Sequence, residues 1–263
     1  MKIGFIGTGT IAEAIVTGLD RAGYAYDEIV VSERSAAISR RLSETCARVL
    51  VSPDNQEIVD RSDMLFLTVR PQVAEQILSG FRYRPAQLVV SAVATLRHDT
   101  LSTWTGPDVT VVRAMPLPFV ATCEGPTPIF PANATVEDLF AFLGRPVVCR
   151  SFAEFETISV VSMTMGLYFG IEETLAAWLA ERGIEPGNAR AMIDAIYLNL
   201  ARTGMAEKGR SLSDLRAAHS TRGGLNEQVW HEFAAHGGID AFRAALNSAY
   251  GRVMPQPSPE RDG

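Results

Sequence analysis

Residues 2–15 read KIGFIGTGTIAEAI, a short apolar run followed by closely spaced glycines and then by apolar residues at helical intervals. This order predicts a strand, a tight turn and a helix, as in dinucleotide-binding βαβ units. The first glycine permits the sharp turn, the second leaves room for a pyrophosphate, and the alanine lets helix and strand pack closely. Since the first amides of a helix lack internal partners, they suit a phosphate. We therefore expect a dinucleotide to contact Gly7, Gly9, Thr10, Ile11 and Ala12.

The composition allows a substantial core and gives no excess of positive charge. Of the 263 residues 47% are apolar, and the formal net charge is -6. That charge disfavours nucleic acid or an anionic membrane as a partner. No apolar run reaches the roughly 20 residues that cross a bilayer, and no secretory leader is indicated. The cysteines, Cys46, Cys123 and Cys149, lack metal-binding spacing, so we expect a soluble, cytoplasmic, metal-free protein.

A second strand is predicted at residues 28–31, and Ser32, Glu33 and Arg34 follow it. They lie about 20 residues beyond the glycine turn, where dinucleotide-binding folds read the adenosine ribose. Glu33 would bind the ribose hydroxyls of NAD, whereas Ser32 and Arg34 would suit the extra phosphate of NADP. Because Ser32 ends the strand and Arg34 follows closely, we expect NADPH or NADH with a slight preference for NADPH. The alternative is that Glu33 and Arg34 are solvated loop charges.

Further apolar strands alternate with short helices up to about residue 150. The run at residues 63–69, which is apolar apart from Asp63 and Thr68, is typical of a central parallel strand. In such sheets the carboxyl ends of the strands face the ligand. The turns at these ends therefore supply the other predicted cofactor contacts, which are Asn55, Val69, Pro71, Ala92, Val93 and Ala94.

Beyond about residue 151 the strand patterns end, and apolar residues recur at intervals of three and four. This spacing predicts one long helix over residues 155–182, followed by shorter helices. So apolar a helical region would need a second copy to cover it, which predicts a homodimer or higher homo-oligomer. We expect an α/β domain with a mostly parallel sheet over 1–152, an all-helical domain over 153–254 and a disordered tail over 255–263.

Five stretches resemble the pyrroline-5-carboxylate reductase family in order and spacing: GFIGTGTIAEAI (4–15), SDMLFLTVRPQ (62–72), VVSAVATL (89–96), RAMP (113–116) and HSTRGGLNEQ (219–228). The resemblance implies an N-terminal Rossmann domain and a helical dimerisation domain whose helices interleave with a partner's. It also implies hydride transfer from NAD(P)H to the C=N carbon of 1-pyrroline-5-carboxylate, which yields L-proline. The active site would then lie between the cofactor domain of one chain and helices near the dimer interface.

The loop from Ser220 to Asn226 is the expected pocket for the substrate carboxylate. It offers two hydroxyls, two glycine amides and an amide side chain at a helix start. Since a protonated imine needs little acid–base chemistry, the site mainly has to hold substrate and nicotinamide in register. The predicted catalytic residues are Ser220 and Thr221, and the other predicted substrate contacts are Gly223, Gly224, Asn226 and Met115. The alternative is an ordinary loop that caps the following helix.

Several positions depart from the family pattern. Leu117 stands where the family has a polar residue, Met163 and Met165 replace small residues, and Arg222 replaces a proline. These changes indicate either a repacked core, for which methionine is suited, or a reshaped pocket. A divergent reductase of another imine or ketimine therefore remains an alternative.

Two other classes of protein compete with this interpretation. β-Hydroxyacid dehydrogenases share the glycine turn but use a lysine of the long helix as acid and base, and residues 155–182 contain no lysine. The other alternative is a non-catalytic nucleotide-binding regulator, which would explain the altered Leu117, Met163 and Met165. Against it, the hydroxyl and glycine loop is retained.

Overall fold

The computed structural model describes residues 1–254, so the predicted tail at 255–263 lies outside the described residues. Two compact units divide the chain. The first comprises Met1–Ser159 and the chain from Tyr250, and the second is Val160–Ala249. This boundary falls inside a helix that begins at Phe152. The predicted division after residue 152 would fall at the start of that helix and stays a prediction.

An eight-stranded sheet forms the centre of the first unit, in the order β3-β2-β1-β4-β5-β6-β7-β8. Every pair of neighbours is parallel except β6 and β7. The order reverses between β1 and β4, and such a reversal opens a crevice at the carboxyl ends of the strands. The strands are β1 (Lys2–Ile6), β2 (Glu28–Ser32), β3 (Val49–Ser52), β4 (Met64–Leu67), β5 (Leu88–Ser91), β6 (Thr110–Ala114), β7 (Gly125–Phe130) and β8 (Gly144–Val148).

Apolar strands and amphipathic helices form the core on both faces of this sheet. All four residues of β4 are buried, as its wholly apolar sequence predicts for a central strand. The rings of Phe5 on β1 and Phe66 on β4 stack with their centroids 4.8 Å apart. The first unit contains the helices α1 (Thr10–Arg21), α2 (Ala36–Thr45), α3 (Asn55–Arg61), α4 (Pro71–Leu78), α5 (His98–Thr105) and α6 (Ala134–Phe142).

Three short elements of this unit were not predicted from the sequence: α2, α5 and a 3-10 helix at Pro118–Thr122. The two α-helices bury only two residues each, so few apolar positions mark them in the sequence. The 3-10 helix packs directly on α1 at Gly18. A Cβ added there would lie 2.2 Å from the carbonyl oxygen of Val120.

The second unit is entirely helical among its described residues. Its helices, two of which run across the boundary between the units, are α7 (Phe152–Ser162), α8 (Met165–Ala180), α9 (Pro186–Ala206), α10 (Leu212–Ala218), α11 (Leu225–Ala235) and α12 (Gly238–Val253). A Rossmann sheet followed by helices confirms the predicted fold class.

The single long helix expected over residues 155–182 is wrong, because the chain forms α7 and α8 with a break between them. The amides of Met163 and Thr164 donate to carbonyls three residues back, at 3.0 and 3.2 Å. The Thr164 hydroxyl also donates to the Val161 carbonyl, at 2.7 Å. These bonds tighten the turn and replace the regular α-helical pattern.

Candidate active site

The glycine turn between β1 and α1 contains two glycines with different surroundings. Gly7 has a φ of +96°, and a Cβ added there would lie 2.8 Å from the carbonyl oxygen of Thr68. Gly9 has a φ of −99°, and an added Cβ would meet nothing within 4 Å. The backbone at Gly9 therefore faces open space, as the predicted approach of a pyrophosphate requires.

The amino end of α1 is open to a phosphate. Gly9 is the N-cap and provides no side-chain cap, and the first amides of a helix have no intrahelical acceptor. The amides of Thr10, Ile11 and Ala12 thus add their partial positive charge to the edge of the open space. The side chain of Ala12 is fully buried, in agreement with its predicted role in close packing.

A cavity of about 510 Å³ lies at the carboxyl ends of β1, β2 and β4. Its volume is within the range of small-molecule sites. Five predicted cofactor residues line it, which are Gly7, Ser32, Arg34, Asn55 and Val69. The other lining residues are Ile6, Glu33, Ala36, Pro53 and Ile77.

Ser32 is the last residue of β2, and it is buried. Its hydroxyl accepts a hydrogen bond from the Gly7 amide at 3.0 Å and lies 3.1 Å from the Thr8 hydroxyl. The Thr8 hydroxyl also donates to the Ser32 carbonyl at 2.5 Å. Ser32 therefore holds the glycine turn in place, a role that the sequence did not indicate.

Arg34 is exposed at the edge of the cavity. It has no ion-pair partner among residues 1–254. Its guanidinium can therefore bind an anion without losing an ion pair within the described chain. Glu33 is also exposed and lines the same cavity.

The predicted nicotinamide contacts follow neighbouring strands along the same edge of the sheet. Val69 comes after β4, and Ala92, Val93 and Ala94 come after β5, where the Ala92 amide donates to the Leu67 carbonyl at 2.9 Å. Pro71 is the first residue of α4. Of these five residues only Val69 lines the cavity.

Met115 directly follows β6, the next strand of the sheet, and its amide donates to the Pro128 carbonyl at 3.1 Å. Leu117, one of the departures from the family pattern, is the N-cap of the 3-10 helix. The RAMP stretch therefore continues the row of strand ends beyond β5.

The loop between α10 and α11 holds the predicted carboxylate contacts, but its own chain already uses several of the donors. The Gly223 amide donates to the Glu227 carboxylate at 2.6 Å, and the Gly224 amide donates to the Thr221 carbonyl at 2.8 Å. The Asn226 side chain donates to the His219 carbonyl at 2.8 Å. A substrate carboxylate at Gly223 would therefore have to displace Glu227.

The Ser220 and Thr221 hydroxyls have no hydrogen-bond partner in the part of the chain that the structure describes. Both hydroxyls can donate to a ligand. Glu227 was missed in the sequence, although it stands three residues after the N-cap Gly224. A glutamate at that position typically reaches back to the amides before the helix.

His98 is the one histidine with a resolved pKa shift, and it begins α5. Burial lowers its pKa from the ordinary 6.5, the positive charge of Arg113 lowers it further, and Asp99 opposes both. Its ring lies edge-on to Phe130 at 6.2 Å. This environment favours the neutral imidazole.

Comparison with known proteins extends over both units. Residues 2–95 match the family described as NADP oxidoreductase, coenzyme F420-dependent. Relatives include the pyrroline-5-carboxylate reductase of Pseudomonas aeruginosa, 26% identical over 94% of each chain. That of Synechocystis is 38% identical over 52% of this chain and 51% of its own length. The resemblance to pyrroline-5-carboxylate reductases is confirmed.

Solved structures of pyrroline-5-carboxylate reductases share the fold from end to end. The enzyme of Streptococcus pyogenes has a TM-score of 0.85 at 23% identity and covers 96% of this chain and 98% of its own. That of Coxiella burnetii has a TM-score of 0.77 at 26% identity, with 95% and 96% covered. The Plasmodium falciparum enzyme, whose structure has NADP bound, has a TM-score of 0.81 at 17% identity, with 97% and 98% covered. The family match and the curated relatives confirm the prediction of an NAD(P)-dependent oxidoreductase.

Proposed function

We propose that this protein reduces the C=N bond of 1-pyrroline-5-carboxylate to give L-proline, with NADPH or NADH as the hydride donor. The observation that carries the proposal is the match to pyrroline-5-carboxylate reductases over nearly the whole chain, in sequence and in fold. A β-hydroxyacid dehydrogenase is not favoured, because α7 and α8 contain no lysine that could act as acid and base.

The residues present fit a dinucleotide. The open space above Gly9 and the uncapped amides of α1 suit its pyrophosphate, and the cavity beside Arg34 suits its adenosine ribose. NAD(P)H, when bound, supplies a hydride. Arg34 favours the ribose phosphate of NADPH because its charge is exposed. The Ser32 hydroxyl is already engaged with the glycine turn, so Arg34 is the main proposed phosphate contact.

The reaction needs little acid–base catalysis from the protein. A protonated imine accepts the hydride at carbon, the C=N bond becomes a single bond, and the nitrogen keeps its proton as a secondary amine. The Ser220 and Thr221 hydroxyls would hold the substrate carboxylate, so that the imine carbon stays oriented for the transfer. Met115 is the other proposed substrate contact.

The assembly that we propose is a homodimer or a higher homo-oligomer formed through the helical unit. Large apolar side chains on its helices are exposed, which is costly in water and typical of a surface that a second copy covers. Those exposed by half or more include Phe169, Trp178, Met192, Leu198, Met205 and Val229. No helix among residues 1–254 is long and apolar enough to cross a membrane. We place the protein in the cytoplasm, where its three free cysteines would stay reduced.

The function is tested by mixing the purified protein with NADPH, and separately NADH, and adding 1-pyrroline-5-carboxylate. Loss of reduced-nicotinamide absorbance with L-proline as product is the expected result. Cofactor binding without turnover on this or any other cyclic imine would instead support the non-catalytic regulator. Thr221→Ala tests the carboxylate placement, since it should raise KM for the imine and leave cofactor binding unchanged.

A further inference from the structure

Arg113, the first residue of RAMP, is the largest fully buried side chain among the described residues. It is the fourth residue of β6 and stands in register between Ser91 on β5 and Phe130 on β7. Ala92 directly follows Ser91, and Met115 comes two residues after Arg113. The buried charge thus lies beside the two strand ends at which the nicotinamide half of the cofactor and the substrate are expected.

The partners of Arg113 come from α7. Its Nη1 forms an ion pair with the Glu156 carboxylate, and the two side chains are 1% and 2% exposed. The guanidinium carbon lies 4.7 Å from the centre of the Phe155 ring and 5.8 Å from that of Phe152. Within residues 1–254 its Nε and Nη2 have no hydrogen-bond partner.

Stability alone is a weak reason for such a pair. The cost of removing two charges from water commonly offsets their attraction, and a well-packed apolar pair is often as stable or more so. Two donors of Arg113 without partners add to that cost. What a buried ion pair with two aromatic contacts does provide is one defined arrangement of β6 against α7.

We infer that Arg113 and Glu156 are positioning residues, which hold the carboxyl ends of β5 and β6 in the place that the reaction requires. The pair acts through the backbone at Ala92 and Met115 and touches neither cofactor nor substrate, since it is sealed from solvent. The inference rests on the proposed function for the identity of the cofactor. Loss of the pair should therefore disturb the nicotinamide, while the phosphate and ribose contacts on β1 and β2 remain.

The test replaces the whole pair by apolar residues, Arg113→Met with Glu156→Leu, so that no uncompensated charge is left in the core. NADPH affinity is measured by fluorescence titration. The mobility of the nicotinamide is measured by the fluorescence lifetime and anisotropy of bound NADPH. Turnover is measured as kcat with 1-pyrroline-5-carboxylate as substrate. The expected result is a folded protein with wild-type NADPH affinity, a more mobile nicotinamide and a kcat reduced about tenfold or more.

The matched control removes a second ion pair of the same unit, with Glu28→Leu and Arg61→Met. Glu28 is the first residue of β2, so it lies at the amino ends of the parallel strands, away from the carboxyl ends that face the cavity. Its carboxylate lies 2.7 Å from the Arg61 guanidinium. The control should keep the wild-type nicotinamide fluorescence and kcat. Among single variants, Glu156→Asp should retain more turnover than Glu156→Gln, because it keeps the charge.

The outcomes separate the inference from the proposed function. Unchanged nicotinamide fluorescence in the folded Arg113→Met, Glu156→Leu protein would overturn the positioning role, whatever the substrate. If that protein does not fold, the comparison of Glu156→Asp with Glu156→Gln decides, and equal fluorescence and kcat in the two would overturn it. A wild-type protein that binds NADPH and does not reduce the imine would contradict the proposed function only.

Discussion

Gly7 and Gly9 belong to the same turn and lack side chains for different reasons. Gly7 is required by the fold, because its φ is +96° and the Thr68 carbonyl leaves no room for a Cβ. At Gly9 the protein itself leaves that space open. We propose that glycine there leaves room for a pyrophosphate at the open helix end.

Gly7→Ala should therefore mainly reduce stability, whereas Gly9→Ala should mainly reduce NADPH affinity. Gly7→Ala should destabilise the protein by about 1–3 kcal/mol, the cost of a strained backbone. Gly9→Ala should change stability by less than about 1 kcal/mol, because the gain from a less flexible unfolded chain is opposed by the loss of a glycine N-cap, and it should bind NADPH much more weakly. Urea unfolding and fluorescence titration measure the two effects. Wild-type NADPH affinity in Gly9→Ala would exclude the turn as the phosphate site.

Glu227 should compete with the substrate, because its carboxylate accepts a hydrogen bond from the Gly223 amide. Glu227→Gln keeps a side chain that can cap the helix and removes the negative charge. A substrate carboxylate should then meet less competition, so KM for the imine should fall about two- to fivefold with kcat nearly unchanged. Steady-state kinetics measure this effect.

Glu232→Gln is the control for Glu227→Gln, since it removes an exposed charge from the same helix away from the loop. It should leave KM as in the wild type. A KM that stays constant or rises in Glu227→Gln would mean that Glu227 only caps α11 and that the substrate binds elsewhere.

At the scale of one element, α5 should make the stability of the protein depend on pH through His98. The folded-state pKa of His98 lies below the ordinary 6.5, so between the two values the unfolded chain binds more protons than the folded one. The resulting stability is fully present above about pH 6.5 and is lost as the pH falls toward the folded-state pKa.

His98→Asn should therefore flatten the decline of unfolding free energy between about pH 7 and pH 5, the range below the ordinary histidine pKa. Urea unfolding at a series of pH values measures the slope. His231→Asn, at an exposed position of α11, controls for the loss of a histidine. Equal slopes in the wild type and His98→Asn would show that α5 does not keep this imidazole neutral.

At the scale of the whole molecule, the two units differ in how their apolar side chains are covered. The central strands of the first unit are buried on both faces, whereas the helices of the second expose large apolar groups such as Phe169, at 59%, and Met205, at 69%. A monomer with such a surface would be prone to aggregate. A second copy of the chain is the simplest cover.

Phe169→Glu should accordingly shift the protein toward a monomer of 28.5 kDa, because it places a charge where a partner subunit is proposed to pack. Sedimentation velocity measures the mass of the species in solution. The matched control is Phe119→Glu, a residue of the first unit that is 50% exposed, which should keep the wild-type mass. A wild-type protein that sediments as a monomer would contradict the proposed assembly.

Elements with local signals could be predicted from the sequence. The apolar runs of β1 and β4, the glycine turn and the helical periodicity beyond residue 151 depend only on neighbours in the chain, and the structure confirms them. Five residues singled out for the cofactor also line one cavity. Turn chemistry and strand ends could indicate them because parallel strands bring their carboxyl ends to one edge.

Pairings between polar groups that are far apart in the chain could not be predicted in this way. Ser32 is engaged with Gly7, 25 residues away, and Arg113 with Glu156, 43 residues away. Neither pairing leaves a periodic signal in the sequence, because a hydrogen bond between distant residues depends on how the strands and helices are arranged. The break at Met163 and Thr164 has a different cause, since its hydrogen bonds join residues only three apart. It was missed because the apolar spacing continues across it. The fold could thus be predicted from local patterns, whereas the contacts that shape the candidate site required the assembled chain.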